Sequence, residues 1–125
     1  MWRDNARVAG AAYEDERTPA MTRYAFRLRV RKDRIAAYEE AHRQVWPELL
    51  AVIKQAGISD YSIFREGTDL FFVLQADDFD RAWDAIERSE VNARWQAEMA
   101  PLFDVPSPVK PGERFPMMTE VFFLS

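Results

Sequence analysis

The chain of 125 residues contains no cysteine, one histidine and four glycines. Each shortage removes a class of chemistry. Without thiols there is no disulfide framework and no thiolate nucleophile. A lone imidazole without cysteine argues against a transition-metal site, which draws on several nitrogen or sulfur donors. Gly10, Gly57, Gly67 and Gly112 are too scattered for a phosphate-cradling loop or a dinucleotide fingerprint. No G-x-S-x-G elbow is present. No apolar run approaches the roughly 20 residues of a membrane span, and residues 1–20 lack the apolar stretch of a signal peptide. The 17 basic side chains are outnumbered by 21 acidic ones, for a formal charge of −4. That balance argues against a nucleic-acid partner, whose phosphates need neutralising. The densest basic run, Arg27, Arg29, Arg31, Lys32 and Arg34, reads as a solvated or subunit-facing strand edge. What remains is acid–base chemistry, aromatic stacking and hydrogen bonding, with no cofactor implied. The cysteine-free make-up is compatible with a cytoplasmic location.

The chain does have the makings of one folded domain. Apolar residues are 48% and charged residues 30%, and aromatics reach 14%. Residues 1–20 show no periodicity and read as a mobile extension, leaving 21–125 as the domain. From Thr22 to Arg31 the pattern alternates, with Tyr24, Phe26, Leu28 and Val30 on one side, as in a half-buried strand. Asp33 is placed to cap the helix that follows. Ile35, Tyr38, His42, Val45, Trp46, Leu49, Val52 and Ile53 then recur at helical steps up to Gly57, a left-handed terminator. Pro47 interrupts this stripe, so the helix is expected to break there and restart. Ile58–Arg65 and Leu70–Ala76 form a hairpin around Glu66–Asp69, the second run being apolar enough for a central strand. Asp77 and Asp78 open a helix with Phe79, Ala82, Trp83 and Ile86 on its buried stripe; Ser89 opens another carrying Val91, Trp95 and Met99. A proline-rich loop, Asp104–Pro116, precedes a final apolar strand expected over Thr119–Leu124. The order predicts an α+β, ferredoxin-like fold: a four-stranded antiparallel sheet with helices on one face. An apolar outer face would then need a cover, which a second copy of the sheet supplies, making a homodimer.

Tyr38 and His42 stand one helical turn apart, and Trp46 one turn further. An imidazole gives and takes protons near neutral pH. A phenol can hydrogen-bond a hydroxyl, and an indole can stack on a sugar's apolar face. Spacing alone favours a second reading: His42 as a satisfied boundary residue, with Tyr38 and Trp46 as core. Glu48, just after Pro47, fits a favourable place in the helix dipole.

Beyond spacing, Tyr38-x-x-x-His42 followed by Val45-Trp46-Pro47-Glu48-Leu49 resembles the Y-x-x-x-H-x-x-x-W-P-E-L signature of the L-rhamnose mutarotase family. Asp60-Tyr61-Ser62-Ile63, Arg94-Trp95 and Glu120-Val121-Phe122-Phe123-Leu124 resemble further family elements in the same order. The resemblance covers about residues 22–125. It implies a dimeric α+β barrel without cofactor that interconverts the anomers of a 6-deoxy-hexose, most directly L-rhamnose. It also implies that His42 is the catalytic acid–base residue, with Tyr38, Tyr61 and Trp95 at sugar-contacting positions. The family's R-W-W becomes Arg94-Trp95-Gln96, so an amide replaces an indole; it could bond a sugar hydroxyl. Trp46 is expected to wall the same pocket. The Pro111-Gly112-Glu113 stretch resembles a related branch acting on L-fucose. Two other classes share the architecture, a cofactor-free monooxygenase and a non-catalytic ligand-sensing module. The polar-aromatic helix face fits a sugar better than the electron-rich aromatic such a monooxygenase needs.

Overall fold

In the computed structural model, which describes residues 21–105 and 108–125, the alternating segment Thr22–Arg29 is strand β1. The extension read over residues 1–20 lies outside the described residues. A 3₁₀ turn, Lys32–Arg34, leads into helix α1, Ile35–Arg43. Asp33 is not its cap: it sits inside that turn, one residue ahead of the N-cap position taken by Arg34, and pairs with Arg31 at 3.3 Å instead.

The expected break spans Gln44–Trp46: Gln44 has left helical angles (φ −138°, ψ 63°), Trp46 is extended (φ −58°, ψ 129°), and Pro47 opens helix α2, Pro47–Gln55. The ring of Pro47 disfavours helical angles in the residue before it, and its missing N–H costs nothing in a first helical turn. Glu48 occupies that first turn, as the dipole favours. Gly57 ends the helix at φ +99°, where a Cβ would be strained, and its N–H bonds Lys54 O at 3.0 Å.

Strands β2, Ser59–Glu66, and β3, Asp69–Ala76, form the hairpin through Gly67 and Thr68. The register slips between Ser59 and Ser62, a bulge that holds Asp60 at φ +47° next to Tyr61. Helix α3, Phe79–Glu87, is capped by Asp78 accepting from Arg81 N at 3.1 Å. Helix α4, Glu90–Met99, is capped by Ser89 accepting from Asn92 N at 3.1 Å. A 3₁₀ turn, Ala100–Leu102, closes it, and β4 is Met117–Met118.

The strand order is β2-β3-β1-β4, all antiparallel, with β1 and β3 central. Ile63, Phe72, Phe26 and Met117 are cross-strand partners and so share one face. The helices cover that face. Phe26, 1% exposed, is its hub. It stacks on Phe72 and Phe115 (centroids 4.7 and 4.3 Å) and meets Trp83 edge-on at 5.7 Å. The Phe115 contact fastens the long loop to the sheet. Among the described residues, no helix is long and apolar enough to cross a membrane.

The final strand is shorter than the apolar run implies. Pairing with β1 covers Met117 and Met118 only, not Thr119–Leu124. Continuing the register Ala25↔Met118 puts Glu120 beside Arg23, and the two side chains do form an ion pair at 3.7 Å. Val121 and Leu124 are 80% and 75% exposed.

Candidate active site

Helices α1 and α4, the end of α3, and the strands beneath enclose a cavity of about 230 Å³. That is below the roughly 300–1,000 Å³ of drug-sized sites and suits a single sugar ring. Tyr38, His42, Tyr61, Trp95 and Gln96, five of the residues singled out from sequence, line it together. Trp46 does not. It packs edge-on against Trp95 (centroids 5.1 Å, 87°), with the Arg94 guanidinium 5.9 Å from its ring. The helix break at Pro47 is the reason. It swings the Trp46 backbone out of the helical path, so the one-turn spacing from His42 no longer places both side chains on one wall.

The imidazole is held on three sides. His42 Nδ1 lies 2.9 Å from the Tyr38 carbonyl oxygen. A carbonyl only accepts, so Nδ1 carries the proton and donates it. This fixes the neutral tautomer and leaves the Nε2 lone pair as the ring's free proton acceptor. The Tyr38 ring tilts over the imidazole at 4.2 Å, and Trp95 meets it edge-on at 5.5 Å. Two adjoining cavities also reach His42, so the ring borders solvent-sized space rather than an apolar plug.

Tyr38 is 4% exposed. Burial pushes its phenol well above the ordinary range, and it pushes Tyr61 up too, with the nearby Tyr38 adding to the effect. Both therefore stay neutral O–H donors. The folded pKa values exceed the unfolded value near 10. Their contribution to stability is thus complete below about pH 10 and is lost as pH rises toward the folded values. An alkaline absorbance titration is expected to show these two of the four tyrosines ionising only together with unfolding. Smooth titration of all four in the folded protein would contradict the burial.

Several lining residues escaped the sequence reading. Asn92 is 8% exposed, and its Oδ1 lies 3.5 Å from Gln96 Nε2. Its signal was a polar residue at an i−3 step from Trp95 on the buried stripe of α4. Trp83, expected only as core, also faces the cavity, and Glu87 stands one turn beyond it on α3. The result is an aromatic box with an imidazole at one side and carboxamides at another.

The family model described as L-rhamnose mutarotase matches residues 23–124. The chain belongs to the L-rhamnose mutarotase family. Members of that family among its relatives include the L-rhamnose mutarotase of Acidiphilium cryptum, 44% identical over 82 residues (64% of this chain and 78% of the relative). The L-rhamnose mutarotase of Shouchella clausii is 33% identical across 84% of this chain and 100% of its own. The crystal structure of the Formosa agariphila L-rhamnose mutarotase superposes with a TM-score of 0.65 at 31% identity. It covers 83% of this chain and 99% of that one. Family members are sugar isomerases, and the α+β sheet described above is the fold they share.

Proposed function

We propose that the protein interconverts the α and β anomers of L-rhamnose, with His42 Nε2 as the atom that moves the proton. The observation that carries this reading is the Nδ1 bond to the Tyr38 carbonyl, which orients a basic nitrogen inside an aromatic cavity of monosaccharide size.

Nε2 takes the proton of the anomeric hydroxyl. The C1–O1 bond becomes a carbonyl while the ring C1–O5 bond breaks, its electron pair going to O5. O5 takes up a proton from the imidazolium or from water, the C1–C2 bond rotates, and O5 adds to the other carbonyl face with the proton transfers reversed. The uncatalysed reaction already runs in water, so positioned acid–base help of roughly 10²–10⁴-fold is enough and no cofactor is called for. Tyr38 and Tyr61 donate to sugar oxygens, Trp95 and Trp83 wall the ring's apolar faces, and Gln96 with Asn92 meets a hydroxyl. Trp46 supports Trp95. Saturation-transfer NMR on L-rhamnose, L-fucose and close epimers tests the assignment. Enhanced α/β exchange, greatest for L-rhamnose, is expected; a protein that accelerates none of them is not a mutarotase.

The same proposal includes a homodimer and a cytoplasmic location. The sheet face away from the helices carries the apolar residues Ala25, Phe64, Phe71, Val73 and Met118. Phe64 is 60% and Met118 44% exposed. A second copy of the sheet would cover them. Phe64→Asp is expected to convert a dimer to a monomer in light scattering after gel filtration. A wild-type protein that is monomeric at micromolar concentration removes the dimer.

A further inference from the structure

The cavity's lining sorts into two ends. Tyr38, His42, Tyr61, Ile63 and Trp95 also border the adjoining cavities on the β2 side. Leu28, Gln96, Phe103 and Phe115 also border a larger cavity under the loop before β4, which Arg114 lines as well. Glu87 belongs to the second end. Its Oε1 accepts from Arg114 Nη1 at 2.7 Å, while Arg114 Nη2 donates to Asp84 Oδ1 at 2.6 Å. Arg114 is held in turn by its neighbour Phe115, stacked on the buried Phe26. A carboxylate has about four acceptor positions, and the guanidinium uses only one oxygen of this one. So Glu87, its side chain half-exposed at the cavity rim and held by one arm of the guanidinium, presents a charged acceptor to a cavity whose other polar groups at that end are carboxamides.

We propose that Glu87 is a specificity-determining residue whose carboxylate accepts a hydrogen bond from a substrate hydroxyl at the end of the ring remote from the carbon served by His42, with Arg114 as its positioning residue. This rests on the mutarotase reading. The substrate class follows from the chemistry. The ligand is a neutral pyranose with a free hydroxyl at that end. An analogue lacking that hydroxyl loses one hydrogen bond to the carboxylate, a penalty moderated because Arg114 and solvent still reach this half-exposed group.

The test compares wild type, Glu87→Gln and Arg114→Lys by saturation-transfer NMR on L-rhamnose and its 2-, 3- and 4-deoxy derivatives. A hydrogen bond to a half-exposed carboxylate predicts roughly a 3–10-fold rise in KM for Glu87→Gln on L-rhamnose, with kcat changed much less. It also predicts that wild type disfavours one deoxy derivative above the others and that Glu87→Gln erases that one penalty. Arg114→Lys, keeping the charge but losing the fork, falls between the two. If the Glu87–Arg114 pair merely staples the loop to α3, the deoxy penalties will be the same in all three proteins, and the proposal is overturned. Wild type without activity on any of these sugars overturns instead the reading on which it rests.

Discussion

His42→Ala is expected to lower kcat/KM for L-rhamnose anomer exchange by roughly 10²–10⁴-fold, the usual worth of a positioned general acid–base. The fold should survive, because the imidazole is only partly buried and, among the described residues, its hydrogen bond runs to a carbonyl inside its own helix. That carbonyl keeps its helical partner when the ring is removed. Added imidazole should restore part of the rate if the cavity admits it, since the missing group is then supplied in solution. Tyr38→Phe makes an informative contrast. It removes the phenol but not the backbone oxygen that orients Nδ1, so its effect should be smaller. Exchange rates equal in wild type and His42→Ala would take His42 out of the mechanism.

Trp95→Ala is expected to cost about 3–5 kcal/mol of stability, as truncation of a buried aromatic does. Trp95 is 7% exposed and touches both His42 and Trp46 edge-on. Its loss opens a void between α1, α2 and α4 and removes the wall that keeps the imidazole from tilting. Activity measured where the variant remains folded should therefore also drop, through a misplaced base as well as a lost stacking surface. Urea denaturation with an unchanged m-value checks the first effect, and saturation transfer at low temperature checks the second. A denaturation midpoint within experimental error of wild type would mean that Trp95 is not packed as described.

The amino-acid sequence by itself determined the element order, the strand alternation, the helix break at Pro47 and the left-handed stop at Gly57, because each depends on local backbone preference. Asp78 and Ser89 as caps were legible for the same reason. It also determined that the lone imidazole lies one turn from Tyr38. Tertiary structure decided the rest. The break that Pro47 dictates carries Trp46 off the cavity, which helical spacing counted onward through the proline could not express. The pairing of Met117 and Met118 with β1 is a matter of register between segments nearly a hundred residues apart. Glu87 and Arg114 are 27 residues apart, and the packing of Phe115 on Phe26, Phe79 and Trp83 brings them together. Local sequence encodes dihedral angles and periodicity; which distant side chains share a cavity is set by packing across the sheet.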